Sequence, residues 1–222
     1  MAQLADWLDQ AMAAQLTPLG FQRVRLRKWV RAEKPHIHEV FEFYVLKSSA
    51  NTPRWGFSLP FAPRADDLSL ASKGTPKTAR MDICYDPIWR NDGVVPDWCS
   101  LFHIPDWQET TEARVSRVVA MSVQRAQDYF ARVHSLGDIV EIFKEEQDAL
   151  EAMLRKNPER KVWSMRDLAW GLAMIARGDP QDGEMLISKF CETFGFEAND
   201  SRIERARQRA RTIWDSNSEG AK

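Results

Sequence analysis

Residues 37–46 read Ile-His-Glu-Val-Phe-Glu-Phe-Tyr-Val-Leu, and this stretch decides the fold. Apolar side chains occur at both odd and even positions, so both faces of an extended chain would be largely apolar. A strand of this kind is typical of the interior of a sheet that is covered on both sides. We therefore predict a central strand over residues 37–46.

Further strands are predicted on both sides of this segment. In residues 21–31, apolar residues alternate with arginines, which predicts one strand with a solvated basic face, although Trp29 breaks the alternation. Lys34-Pro35 leaves room only for a short connection to the central strand and indicates an antiparallel hairpin. Alternation also predicts a third strand over residues 55–61 and a fourth, short strand over residues 81–85.

Helical periodicity flanks the strands. Residues 3–18 predict an amphipathic helix, and after Thr110 the apolar residues recur at three- and four-residue steps. Ser135 with Asp138 matches a capping box at the start of a helix, and Gly178 is positioned to end another. The second half of the chain is therefore predicted to be helical.

The order of these elements sets the fold class. Strands grouped before helices favour an α+β fold over an alternating parallel-sheet fold. The prediction is an N-terminal helix, about four antiparallel strands and then about five helices. We expect residues 1–109 to form the first helix and the sheet, and residues 110–222 to form a helical part packed on it, in one continuous domain.

Composition excludes several classes of protein. The 222 residues carry 31 basic and 32 acidic side chains and are 44% hydrophobic, as in an ordinary folded domain. A net charge of -1 argues against a nucleic-acid binder that relies on bulk positive charge. Cys84, Cys99 and Cys191 form no paired framework, so we expect reduced thiols. Because the N-terminus is acidic and no long apolar run occurs, we predict a cytoplasmic protein without membrane contact.

His36 and His38 are the most enzyme-like local feature. Alternate residues of a strand point the same way, so both imidazoles could reach one metal ion. A third ligand would have to come from His103, Cys84 or an aspartate between residues 82 and 97. The alternative is that both histidines are ordinary polar residues at the start of a strand. Since the sequence has no serine nucleophile motif or glycine-rich phosphate loop, we expect no catalytic residues and no cofactor.

Residues 81–112 differ in charge from the rest of the chain. They hold seven acidic residues, one arginine and three tryptophans. Acidic groups attract a basic surface, and tryptophan is frequent where the binding energy of an interface concentrates. We predict that the segment binds a protein partner with a basic surface through Asp86, Trp89, Asp92, Asp97, Trp98, Asp106 and Trp107. The alternative is that the tryptophans attach a long loop to the sheet while the acids stay solvated.

Arginine concentrates in two other places. One set lies on the predicted first strand, Arg23, Arg25, Arg27 and Arg31, and the other on the final helix, Arg202, Arg205, Arg207, Arg209 and Arg211. Both sets allow an RNA-binding interpretation. On the helix, however, the arginines spread round the axis and acids intervene, so a solvated face is the simpler interpretation. We do not expect a nucleic-acid partner.

Several short patterns occur together along the chain. They are Leu16-Thr17-Pro18-Leu19-Gly20-Phe21 after the first helix, Lys28-Trp29-x-Arg31 in a strand, and Tyr129-Phe130 and Ser135-Leu136-x-Asp138-Ile139 in the helical part. With these patterns, residues 1–150 resemble an uncharacterised bacterial domain-of-unknown-function family. Its members are small cytoplasmic α+β proteins, some encoded in settings that suggest toxin immunity. The resemblance brings no catalytic residues.

One function is favoured over two others. The missing catalytic motif, the acidic segment with its tryptophans and the resemblance all favour a non-catalytic protein-binding module. We expect the immunity type, an inhibitor that covers the active site of a toxin. The alternative is a metal-dependent hydrolase that uses His36 and His38, and an RNA-associated protein is the third hypothesis.

Overall fold

The computed structural model describes residues 2–45, 51–70, 74–90, 112–156, 159 and 166–219. Two compact units make up the chain, residues 1–58 with 75–132 and residues 59–74 with 133–222. The predicted α+β fold is confirmed, because a first helix and an antiparallel sheet precede several further helices. The predicted boundary between residues 109 and 110 lies outside the described residues and stays a prediction.

The first unit contains a five-stranded antiparallel sheet. Its strands lie side by side in chain order: β1 (Gln22–Arg25), β2 (Lys28–Lys34), β3 (Ile37–Val45), β4 (Asn51–Ser58) and β5 (Ile83–Tyr85). β3 is the central strand, as the sequence predicted. Pro35 and His36 form the tight turn between β2 and β3, which confirms the predicted hairpin.

The single strand predicted over residues 21–31 is wrong, because this part of the chain is itself a hairpin. β1 pairs back on β2 across a turn at Leu26 and Arg27. Arg27 has a φ of 60°, the left-handed conformation that some tight turns require at their second central residue. The alternation of apolar and basic residues runs as far as Arg27 and breaks at Lys28 and Trp29, directly after the turn.

β4 is displaced from its predicted range. It covers Asn51–Ser58, whereas alternation predicted residues 55–61. The reason is that β4 pairs with β3 along its whole length, from Val45 opposite Asn51 to His38 opposite Ser58. The length of the central strand therefore fixes where β4 begins and ends.

One face of the sheet is covered by helices. Phe57 contacts Tyr129 and Phe130 of α3 (Glu112–Phe130), with ring centroids 5.4 and 5.5 Å apart. α3 in turn packs against α1 (Ala2–Leu16). Aromatic pairs at such distances stabilise a core beyond the area that they bury.

The opposite face of the sheet is covered as well. Val30 and Val40 form a small buried cluster with Ala79, and Val24 and Met81 pack against it. Successive residues of a strand point to opposite faces, so β3 is buried on both sides. The apolar pattern of the central strand predicted this burial, and the structure confirms it.

The second unit is helical. It contains α4 (Leu136–Lys156), α5 (Arg166–Arg177), α6 (Pro180–Phe194) and α7 (Ser201–Glu219). Ser135 and Asp138 form the predicted capping box, in which each backbone N–H donates to the other side chain, at 2.9 and 3.3 Å. Gly178, with a φ of 106°, follows the end of α5 as predicted.

Candidate functional site

The structure places two of the seven residues predicted to contact a partner. Asp86 follows β5, and Trp89 belongs to the short helix α2 (Pro87–Arg90). The others lie outside the described residues: Asp92, Asp97, Trp98, Asp106 and Trp107. Asp86 accepts a hydrogen bond from the Tyr44 hydroxyl at 2.7 Å. Its carboxylate is thus engaged within the chain, and its role towards a partner stays a prediction.

Asp86 stands at the end of a row of charged residues that crosses the sheet. Lys28 lies opposite Glu42, and Glu42 lies opposite Arg54, in adjacent strands. Asp86 comes next, directly after β5. Glu42 forms ion pairs with Arg54 and, at 3.5 Å, with Arg25. Opposite charges in neighbouring strands stabilise one another, so the row supports the pairing of the strands.

Polar groups in and beside the charged row are engaged in contacts within the protein, as in a row that stabilises the fold. Lys28 Nζ donates to the carbonyl oxygen of Ala79 at 2.5 Å, and burial lowers the pKa of Lys28 although Glu42 opposes the shift. Burial and the hydrogen bond to Asp86 raise the pKa of Tyr44 to about 12. General acids and bases work best with a pKa near the operating pH, and Tyr44 is far from that range.

The arginines of the first hairpin also have partners within the protein. Each one contacts an acidic or amide side chain: Arg23 with Asp9, Arg25 with Glu42, Arg27 with Asn51 and Arg31 with Glu39. An arginine that holds a phosphate oxygen must offer its N–H donors to it. Each contact engages only part of a guanidinium, so these arginines have a structural role and the RNA-binding interpretation stays a hypothesis.

His36 and His38 do not share a strand. His36 lies in the turn before β3, with a φ of 61°, whereas His38 lies within β3 and is 7% exposed. The metal site suggested by the sequence requires both imidazoles on one strand face. In the part of the chain that the structure describes, no three histidine, cysteine, aspartate or glutamate residues form a group that could hold a metal ion.

A groove lies where β4 and β5 meet α3, and we call it the aromatic groove. It has a volume of about 250 Å³ and is lined by Trp55, Tyr85, Arg125, Asp128, Tyr129 and Arg132. Trp55 and Tyr85 are directly opposite in β4 and β5, and their rings stack with centroids 4.9 Å apart. Tyr129 contacts Tyr85 at 5.6 Å. The three rings form a continuous aromatic wall.

Charged side chains form the rim of the aromatic groove. Arg125 and Asp128 are exposed on α3 at a three-residue spacing, and Arg132 is exposed just after the helix ends. The guanidinium of Arg132 lies 5.8 Å from the centre of the Tyr129 ring. Arg90 lies in the same way over Tyr85, at 5.5 Å. Cation–π contacts thus hold two guanidinium groups beside the aromatic wall.

Sequence reasoning missed the aromatic groove. The spacing of Arg125, Asp128 and Arg132 was visible on the polar side of a predicted helix. Trp55 and Tyr85, in contrast, are far apart in the sequence, and only the register of β4 against β5 brings their rings together. The signal that could have found them is the aromatic residue present in each of the third and fourth predicted strands.

Comparison with known proteins gives no family for this chain. No family model, no curated protein and no solved structure matches it. The resemblance to a bacterial domain-of-unknown-function family therefore stays a hypothesis based on the sequence. Among the described residues, no helix combines the length and the apolar character needed to cross a membrane.

Proposed function

We propose that this protein is a non-catalytic, cytoplasmic protein-binding module that acts as an immunity-type inhibitor by covering the active site of a toxin-like enzyme. The observation that carries the proposal is the aromatic groove, where half-buried Tyr85 lies beside exposed arginines, above the buried rings of Trp55 and Tyr129. Tryptophan, tyrosine and arginine are the residues that most often carry the binding energy of protein interfaces. The groove is suited to receive a protruding side chain of the partner.

We further propose that the aromatic groove and the acidic segment both contact the partner. Arg90, whose guanidinium lies over Tyr85, directly precedes the part of the chain that carries Asp92, Asp97 and Trp98. The arginines of the groove would pair with acidic groups of the partner, and the aspartates with its basic surface. Complementary charges of both signs would speed the encounter and fix the orientation of the complex.

Binding is better supported than catalysis by the residues themselves. The described residues that line the aromatic groove include no serine, cysteine or histidine, the usual nucleophiles and bases. His36 and His38 are divided between a turn and a strand. The charged row is engaged in ion pairs and hydrogen bonds within the sheet. A groove that binds a partner without reacting with it needs no nucleophile, general base or metal ligand.

The proposal can be tested once a partner is in hand. Affinity capture from the native host with mass spectrometry would identify candidates, and each would then be purified. If the proposal is correct, adding the protein in equal amount abolishes the enzymatic activity of the partner. Full activity of the partner in the saturated complex would refute the inhibitory function, whatever the affinity.

The surface is tested separately by charge reversal. Arg125→Glu combined with Arg132→Glu should slow association roughly tenfold, because the local field changes sign. Arg155→Glu reverses an exposed arginine of α4 and is the matched control. Asp92→Lys with Asp97→Lys tests the acidic segment in the same assay. Groove variants that associate like the control would show that the aromatic groove is not part of the interface.

A further inference from the structure

We propose that the second unit carries a separate binding site for the phosphate group of a small organic ligand. The site is a cleft along α7, hereafter the α7 cleft. It has a volume of about 370 Å³ and is lined by Leu70, Arg205, Gln208, Arg209 and Thr212. This volume lies at the lower end of the range for small-molecule sites, which suits a ligand somewhat larger than phosphate alone.

The polar lining of the α7 cleft comes from one face of one helix. Arg205, Gln208, Arg209 and Thr212 follow one another at steps of three, one and three residues along α7. Residues three and four apart are neighbours on a helix surface, roughly 5–6 Å apart at Cβ. Two guanidinium groups and one amide therefore converge on the same small volume.

Arg205 has hydrogen-bond donors to spare. Its Nε donates to the carbonyl oxygen of Ser201 at 3.2 Å, and it forms no ion pair within the described part of the chain. A guanidinium carries five N–H donors, so most of those of Arg205 stay available to a ligand. Other arginines of α7 are paired with carboxylates: Arg202 with Asp200, Arg207 with Glu184 and Arg211 with Glu184.

The wall opposite the helix is held in place. Arg202 Nη1 donates to the carbonyl oxygen of Asp67 at 2.9 Å, which ties α7 to the turn that precedes Leu70. The backbone N–H of Arg64 donates to the carbonyl oxygen of Ser69 at 2.8 Å and closes that turn. A wall fixed before binding lowers the ordering cost that a ligand must overcome.

The donor set favours phosphate over carboxylate. A phosphate group offers three oxygens in a tetrahedral arrangement, and Arg205 and Gln208 supply N–H donors from two side chains, with the guanidinium of Arg209 beside them. A carboxylate offers two oxygens, and one guanidinium satisfies it in a bidentate pair. Leu70 adds an apolar contact for the organic part of the ligand. The geometry thus fits a phosphate monoester of a small organic molecule.

Titration of the isotopically labelled full-length protein with ribose 5-phosphate tests the α7 cleft. In a phosphate-free buffer of low ionic strength, the Nε–H signal of Arg205 should shift and saturate in nitrogen-resolved NMR spectra. Arg205→Gln should weaken binding roughly fivefold, as expected for one exposed charge contact. Arg205→Lys keeps the charge but loses the guanidinium fork, so its affinity should lie between those of the unchanged protein and the Arg205→Gln variant.

Two controls decide the outcome. Arg211→Gln removes an exposed arginine of the same helix that pairs with Glu184, and it should leave the affinity unchanged. Succinate replaces ribose 5-phosphate in a parallel titration and should bind more weakly. Absence of saturable shifts, equal affinity for succinate, or equal losses in the Arg205→Gln and Arg211→Gln variants would each overturn the proposal.

Discussion

Two carboxylates of this protein have similar ion pairs but different surroundings. The side chain of Glu39, on β3 in the first unit, is 2% exposed and pairs with Arg31 and, at 2.6 Å, with Lys34. Glu141, on α4 in the second unit, is 57% exposed and pairs with Lys144 at 2.8 Å. Water screens the second pair, whereas the first lies where an uncompensated charge is costly. Burial, and not distance, separates their expected energies.

The buried pair also joins several elements of the first unit. Arg31 Nη1 donates to the carbonyl oxygen of Leu19, in the turn after α1, at 2.9 Å. Lys34 Nζ donates to the carbonyl oxygen of Phe130 at 3.1 Å, and a cation is favourable at that C-terminal end of α3. Glu39 therefore holds two cations whose other bonds fasten helices to the sheet.

Replacing Glu39 with alanine gives the largest expected effect. It leaves Arg31 and Lys34 without their carboxylate, and breaking a buried pair in this way typically costs about 3–5 kcal/mol. Urea unfolding followed by circular dichroism would measure the loss as a lower midpoint. Glu141→Ala is the matched control and should leave the midpoint where it is. Equal shifts in the two variants would show that burial does not decide the energetics.

A half-buried carboxylate becomes important when it bonds to the backbone. Asp138 Oδ2 accepts hydrogen bonds from the N–H groups of His134 and Ser135, at 2.8 and 2.9 Å. Asp138→Ala removes this cap from α4 and should cost about 1 kcal/mol, against no measurable loss for Glu141→Ala. Urea unfolding measures the cost, and hydrogen exchange of the first turn of α4 locates it. An Asp138→Ala protein as stable as the Glu141→Ala protein would contradict this distinction.

The acid dependence of the same cap has a defined sign. The bond from the His134 N–H is the main cause of a lowered pKa for Asp138. Its stabilising contribution is therefore complete above the usual carboxyl pKa and is lost as the pH falls through the lowered value. Asp138→Asn keeps an acceptor oxygen without this titration and should retain part of the stability at every pH.

Much of the fold could be predicted from local patterns in the sequence. The apolar residues of Ile37–Val45 predicted a central strand, and Ser135 with Asp138 predicted the start of α4. The strand depends on burial of apolar side chains, which needs no particular partner. The start of α4 depends on contacts between near neighbours in the chain. Periodicity and capping chemistry report on such contacts.

The rest depends on registers and turns that local rules do not contain. The turn at Leu26 and Arg27 lacks the Asn-Gly or Asp-Gly signal of tight hairpins, and the break in the alternation at Lys28 and Trp29 is its one local sign. Trp55 and Tyr85 meet only because β4 and β5 pair in one register. The pairing of Glu39 with Arg31 likewise needs the register of β2 against β3. The candidate site was thus less predictable than the fold, since its residues come from distant segments.

Burial also predicts how His38 responds to pH. Burial lowers its pKa from the usual 6.5, and within the described residues its Nδ1 atom has no hydrogen-bond partner. Below pH 6.5 the unfolded chain takes up a proton that the folded chain resists, so stability should fall on acidification. In urea unfolding at several pH values, His38→Gln should flatten this decline. His134→Gln controls for the loss of an exposed histidine, and an equal flattening there would contradict the assignment to His38.

The smallest effect is expected for the exposed pair itself. Glu141 and Lys144 are three residues apart on α4, and both side chains are about half exposed, at 57% and 46%. Holding two long side chains together costs rotamer entropy, and solvent screens their attraction, so little net coupling remains. A double-mutant cycle with Glu141→Ala and Lys144→Ala measures that coupling and cancels the helix propensities of the two alanines. We expect no measurable coupling, at low or at high salt. A coupling that is clear at low salt and vanishes at high salt would show that exposed pairs contribute here as well, and burial alone would then not separate Glu39 from Glu141.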